Sequence, residues 1–293
     1  MDFIETSVAA IFQNRVMKYG DRACVAYKKE GRYVHLSWNE MNDMIRNFGA
    51  YLLSLGIKKG DRVAVFSPNR YEWWVADLAI LSIGAVNVPI YATNSAEEAL
   101  YVLNHSDARL CCTGTSDHLE KVMKVRKKLK KLQSLVVFDV PEKKPAGVVT
   151  LEDAMKTGAS YKNKSMFDKR LRAVKPDDIA TIIYTSGTTG DPKGVMLSHN
   201  NFVSDVNQIL ADFAGRFNDD DILLSFLPLS HSFERTVGYY LPIAAGGTVA
   251  FAEDFSTIQE NLREIRPTMI VSVPRLYEKI HAGVLSRISD VSG

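Results

Sequence analysis

The stretch 184–199, reading YTSGTTGDPKGVMLSH, constrains this chain more than any other. Just before it, 179–184 is an apolar, β-branched run of strand length. Thr185, Ser186, Gly187, Thr188, Thr189 and Gly190 follow, with Lys193 and Gly194 close behind. Small residues let a backbone curl until several N–H groups point into one concavity, which suits an anion. Glycine supplies the unusual dihedrals at little steric cost. The hydroxyls add donors, and the Lys193 ammonium adds a mobile positive charge that suits a phosphate chain. Residues 195–197 read as a returning strand. Gly, Ser and Thr also crowd ordinary turns, so these residues alone support two readings, a polyphosphate cradle and a flexible hairpin tip. The common P-loop is excluded. That motif needs G-x-x-x-x-G-K-[ST] with a helix opening at the lysine, whereas Pro192 precedes Lys193 and Gly194 follows it.

Strand and helix patterns alternate on both sides of this stretch. Ser37–Glu40 and Ser95–Glu98 have the form of capping boxes, and Met41, Ile45, Phe48 and Leu52 continue one apolar helical face. Residues 62–66, 85–91, 109–113 and 135–139 read as strands, and 71–83 is apolar enough to be a buried helix ending at Gly84. The pattern weakens over 141–176, where Lys, Pro, Gly and Ser cluster around one short helix at 151–156. This predicts a first lobe, 1–140, a connection, 141–176, and a second lobe, 177–293. In the second lobe, 201–213 and 234–244 read as helices and 222–227, 248–252 and 269–273 as strands. A third capping box is expected at 256–259, and a helix with Pro274 at its start. The expected class is α/β, with mainly parallel sheet and helices on both faces.

Composition excludes several functions. Hydrophobic content of 46% and charged content of 24% are those of an ordinary soluble protein. A net charge of +2, without zinc-finger spacing or an RNA-binding signature, gives no sign of nucleic acid. The three cysteines, Cys24, Cys111 and Cys112, lack CxxC metal spacing and make a poor disulfide framework, which fits a reducing, cytoplasmic setting. No metal site is predicted from the residues present. Asp2 and Glu5 stand where a secretory signal would carry basic residues. The most apolar run, 75–90, is interrupted by Asp77, Gly84, Asn87 and Pro89, so it is not a membrane span. In the basic run 121–131, Val122, Val125, Leu129 and Leu132 share one helical face. That pattern fits a solvated outer helix, and also a weak peripheral contact with an anionic membrane.

A second constellation is 227–235, LPLSHSFER. A strand running into Pro228 and then His231 at a helix start places the imidazole at a strand's C-terminal end. Open α/β sheets bind ligands there, although a lone histidine is often structural.

The string 184–195 resembles the signature loop of the adenylate-forming superfamily, approximately [YF]-T-S-G-[ST]-T-G-x-P-K-G-V, and every fixed position is present. Gly60-Asp61-Arg62-Val63-Ala64-Val65, Pro68-Asn69 and Gly84-Ala85-Val86-Asn87-Val88-Pro89 also occur in the family's order, in words whose expected role is packing. LPLSHSFER and Val273-Pro274-Arg275-Leu276-Tyr277-Glu278-Lys279-Ile280 look like long-chain fatty-acid–CoA ligases.

The resemblance implies ATP phosphates held by Thr185, Ser186, Gly187, Thr188, Thr189, Gly190 and Lys193. It implies His231 at the junction of carboxylate and nucleotide sites, with Lys193 and His231 as the catalytic pair. The reaction implied joins a fatty acid to coenzyme A through an acyl-adenylate, using ATP and Mg2+. An adenylate-former for an aryl or amino acid, and a non-catalytic nucleotide- or acyl-binding module, remain as alternatives. Residues near Phe233, Val237, Tyr239 and Tyr240 suit an alkyl tunnel and an ordinary core equally. Family members continue with a Tyr-Gly-x-Thr-Glu word whose Glu helps bind magnesium, a ribose-binding Asp and a mobile domain carrying a catalytic Lys. Residues 1–293 therefore correspond to an incomplete large N-terminal domain, expected to be inactive alone, with magnesium and coenzyme A held mainly by the missing half.

Overall fold

A computed structural model describes residues 3–163, 165–185, 191–274 and 276–278. The chain opens with α1 (Val8–Tyr19), β1 (Ala23–Lys29), β2 (Arg32–Ser37) and α2 (Trp38–Ser54). Next come β3 (Arg62–Phe66), α3 (Tyr71–Ser82), β4 (Val86–Ile90), α4 (Ala96–His105), β5 (Leu110–Thr113) and α5 (Ser116–Val125). β6 (Ser134–Val137), β7 (Val148–Thr150), α6 (Leu151–Ala159) and α7 (Ser165–Arg172) lead to the hairpin strands β8 (Ile179–Thr185) and β9 (Lys193–Ser198). Then follow α8 (His199–Asp212), β10 (Ile222–Ser225), a π-helix (Glu234–Tyr240), α9 (Leu241–Ala245), β11 (Thr248–Phe251), α10 (Ile258–Ile265) and β12 (Met269–Ile270).

Both expected capping boxes are present. Ser37 Oγ accepts the Glu40 N–H while the Glu40 carboxylate accepts the Ser37 N–H, and Ser95 and Glu98 repeat the exchange. The third box falls elsewhere than expected: Asp254 and Thr257 form it, because Asp254 is the residue in extended conformation before the 3-10 turn 255–257. The segment 141–176 holds β7 and α7 besides the expected helix. The sequence reading passed over α1, β1 and β2. Its missed signal is Glu30-Gly31, a two-residue turn with φ of 52° and 75° that joins β1 to β2.

The strands form a seven-stranded sheet, order β7-β6-β5-β3-β4-β8-β9, and a five-stranded sheet, order β12-β10-β11-β1-β2. Pairs are parallel except β1–β2 and β8–β9. The sheets do not follow chain order. The signature hairpin β8–β9 extends the sheet built by β3 to β7, while β1 and β2 join strands more than 180 residues downstream. A division at 140 and 176 is therefore not the division into sheets.

α3 lies between the two sheets and is buried on every side from Glu72 to Ser82. Its Trp74 ring stacks on Tyr239 at 4.1 Å and meets Phe251 of β11 edge-on at 5.7 Å. On the other side it belongs to the same apolar cluster as Val63 and Val65 of β3. Each large apolar side chain fully buried there contributes about 1.5–3 kcal/mol. A carboxylate in such a helix must be paired. Asp77 is, by the Arg235 guanidinium, and it also accepts from Tyr240 Oη at 2.8 Å and Asn87 Nδ2 at 2.5 Å. Arg235 donates further to Tyr240 Oη (2.8 Å) and Thr181 Oγ1 (2.7 Å).

The expected helix at 234–244 begins as a π-helix, the widened turn often found at functional sites. Gly238 makes room for it: a Cβ there would collide with the Glu234 carboxyl group. Glu234 is buried, and its Oε1 accepts from Ser225 Oγ at 2.8 Å. Burial pushes its pKa from 4.5 up to about 8. Between those two values only the folded chain keeps the proton, so stability falls as pH rises through the window and levels off above it. His199, pushed down from 6.5 to about 4 by burial, acts in the opposite sense between those values, so the two groups offset each other below about pH 6.5 and the net decline falls between about pH 6.5 and pH 8. Glu234→Gln should abolish the decline in melting temperature between about pH 6.5 and pH 8 and uncover a rise with pH below that window. A variant with the parent's slope would contradict this account of Glu234.

Candidate functional site

β8 and β9 hold the ends of the signature loop. Their register pairs Thr185 with Lys193 and Tyr184 with Gly194. Gly194 is required by close approach, since a Cβ there would lie 2.7 Å from Ile182 Cγ2. α4 braces the hairpin: Tyr101 Oη donates to the Pro192 carbonyl at 2.9 Å, and His105 Nδ1 shares a hydrogen bond with Tyr184 Oη at 2.7 Å. Thr185 and Lys193 are exposed at the strand ends where the loop begins and returns. Ser186, Gly187, Thr188, Thr189 and Gly190, which carry the expected cradle, lie outside the described residues.

His231 approaches from the second sheet. β10 ends at Ser225, and the chain turns through Pro228, whose carbonyl accepts the His231 N–H at 2.9 Å. The ring is exposed, and its Nδ1 accepts the Phe233 N–H at 3.2 Å. An accepting Nδ1 assigns the proton of the neutral imidazole to Nε2. The free edge of the ring is thus a hydrogen-bond donor, suited to a carboxylate oxygen.

His231 and Thr185 line one cleft of about 380 Å³, whose wall includes Tyr91, Asn94, Glu98 and Tyr184. Lys193 lies across the hairpin from Thr185 but is not among the lining residues. The two constellations found in the sequence therefore meet in space, although they belong to different sheets. Among the described residues no group of three or more His, Cys, Asp or Glu could hold a metal ion. Tyr239 and Tyr240 serve the core, Tyr239 stacked on Trp74 and Tyr240 edge-on to Phe202, whereas Phe233 is exposed.

Sequence reasoning missed Asn69. Its side-chain amide reaches from the end of β3 to the loop that carries His231, bonding Ser225, Leu227 and Leu229. The visible signal was a polar residue after Pro68 at a strand's C-terminal end. In the basic run, Val122, Val125, Leu129 and Leu132 are all buried while Lys124, Lys127, Lys128, Lys130 and Lys131 are exposed. Only Val122 and Val125 bury from a helix: α5 ends at Val125, a 3-10 turn covers 126–128, and Leu129 and Leu132 are buried from the irregular segment that follows, so the single helical face expected for this run is not formed. Among the described residues no helix is long and apolar enough to cross a membrane. Of the word 273–280, residues 274 and 276–278 are helical, and Arg275, Lys279 and Ile280 lie outside the described residues.

A family model described as AMP-binding enzyme matches residues 12–291. A long-chain-fatty-acid–CoA ligase from Homo sapiens is 30% identical over 280 residues, covering 94% of this chain and 42% of that protein. One from Mycobacterium bovis is 36% identical over 252 residues, covering 86% of this chain and 41% of that protein. The chain thus spans less than half the length of the curated relatives it matches. Among solved structures, the A-PCP didomain of a carboxylic acid reductase from Segniliparus rugosus, in complex with AMP, superposes with TM-score 0.82 at 21% identity. That match covers 98% of this chain and 45% of the other. Coronafacic acid ligase from Pectobacterium brasiliense gives 0.79 at 22% identity, over 94% of this chain and 51% of the other. These two similarities show the fold, and the family model, running through nearly the whole sequence, shows the rest: the chain belongs to the AMP-binding enzyme family.

Proposed function

We propose that this chain is the N-terminal part of an AMP-forming long-chain fatty-acid–CoA ligase. The observation that carries this reading is the convergence of Thr185 and His231 on one cleft, in a chain whose curated relatives are long-chain ligases. In the reaction proposed, a fatty carboxylate oxygen attacks the α-phosphorus of ATP. An O–P bond forms, the α–β bridge breaks and pyrophosphate leaves. The sulfur of coenzyme A then attacks the acyl carbonyl and AMP leaves, giving the thioester.

The first step crowds negative charges together, so charge stabilisation and alignment dominate its barrier. Lys193 and the loop donors Thr185 to Gly190 would neutralise the β- and γ-phosphates as they leave. His231 would donate from Nε2 to one carboxylate oxygen and leave the other free to attack. It is not assigned as a general base, because a fatty carboxylate is already ionised at neutral pH. The described residues offer no ligand cluster for magnesium, which enters no step derived from them. A cytoplasmic setting suits the chain, whose three cysteines are buried free thiols.

The test is pyrophosphate exchange into ATP by the full-length protein, driven by a panel of carboxylic acids. Fatty acids of medium or long chain should drive it, and residues 1–293 alone should make no appreciable thioester. Exchange driven only by aryl or amino acids would replace the substrate, and no exchange with any acid would favour a non-catalytic module. Lys193→Ala should slow the exchange by about one to two orders of magnitude, the value of one charge-assisted contact of roughly 1.5–3 kcal/mol. Lys193 is exposed, so the melting temperature should hardly change. Unaltered exchange kinetics in that variant would remove the cradle.

A further inference from the structure

We propose that Asn69 is a positioning residue for His231, an assignment that rests on the reading of His231 as the group that meets the carboxylate. Asn69 stands on a rigid arm. β3 ends at Phe66, whose carbonyl accepts the Gly114 N–H at 2.9 Å, and Gly114 is packed so tightly under Ser67 and Pro68 that a Cβ would collide with both. On its other side Arg70, the N-cap of α3, is fixed by Glu72 and by Asp139. The arm therefore belongs to the first sheet and to the helix between the sheets.

The bonds from Asn69 all go to the end of β10 and the loop that follows it. Nδ2 donates to Ser225 Oγ at 3.0 Å and to the Leu227 carbonyl at 2.6 Å, and Oδ1 accepts the Leu229 N–H at 2.9 Å. Two of the three partners are main-chain groups on either side of Pro228, the residue whose carbonyl holds the His231 N–H. The third, Ser225, passes the connection on to Glu234, where the π-helix opens. The turn that presents His231 is thus tied at its entry and, through Ser225 and Glu234, at its exit. Packing alone would be met by an apolar side chain. Three directional bonds to one loop fix its position across the gap between sheets.

Asn69 does not line the cleft, so it acts through the loop and not on the substrate. The hairpin of Thr185 and Lys193 is held by α4 and β9, and no hydrogen bond described joins it to Asn69. Loss of the tie should therefore affect the carboxylate and spare the nucleotide. A displacement of about 1 Å in a catalytic group can cost on the order of 100-fold in rate.

The experiment is a double-mutant cycle in the full-length protein, read as acid-dependent pyrophosphate exchange. Asn69→Ala should lower kcat/KM for the fatty acid roughly tenfold to 100-fold, with KM for ATP within about twofold, and should add less than about twofold in a His231→Ala background, since sites acting through one another are non-additive. If Asn69→Ala does not fold, Asn69→Asp enters the same cycle, because it keeps the acceptor for Leu229 and loses both donated bonds. Equal losses toward ATP and acid, or full additivity with His231→Ala, would overturn the role of Asn69 alone. A His231→Ala protein with undiminished exchange would overturn the reading of His231, and the role of Asn69 with it.

Discussion

The ion pair between Asp77 and Arg235 is the interaction on which the rest of the structure depends. It sits where three elements meet: the helix between the sheets, the base of the hairpin strand β8 and the π-helix after His231. Both side chains are fully buried, so neither charge is stable without the other. Leaving one uncompensated costs about 3–5 kcal/mol, a large part of the margin of an ordinary domain. Thr181 ties the pair to β8, four residues before Thr185, and Arg235 itself lies four residues after His231. One buried network therefore sets the distance between the two halves of the candidate site.

That arrangement explains why an α3 apolar on every face carries an acid. A uniformly apolar helix would pack between the sheets in many rotational settings. Asp77 accepts from Asn87 of β4 on one side and from Tyr240 on the other, and only one setting satisfies both. The cost of burying a charge is offset by a fixed orientation of the sheets, whose C-terminal edges then form the cleft.

Much of this was legible in the sequence, for reasons tied to particular residues. Ser37–Glu40 and Ser95–Glu98 announce their helices through local hydrogen bonds that need no partner elsewhere. Strand β3 and the apolar α3 were readable to within a residue, because turn signals at Gly60, Pro68 and Gly84 bound them. Illegible features depend on distant partners. β1 joins β11 across more than 200 residues, so the division by chain order could not show which sheet it enters. The third capping box was misplaced because Asp254 and Ser256 are both good caps, and only the backbone at Asp254 decides between them. Thr185, Lys193 and His231 were visible as residue types in sequence words. Asn69 and Glu234 also stood in such words, but their roles, like that of Ser225, were not legible, because they lie in bonds to distant partners.

The central claim is that the cleft brings a carboxylate to the α-phosphorus of ATP. Transfer of label tests this most directly. With a fatty acid carrying 18O in both carboxylate oxygens, the full-length protein should complete the reaction and release AMP containing one 18O atom, the bridging oxygen of the acyl-adenylate. Label in inorganic phosphate with unlabelled AMP would mean attack at the γ-phosphorus, and the account of this site would be wrong.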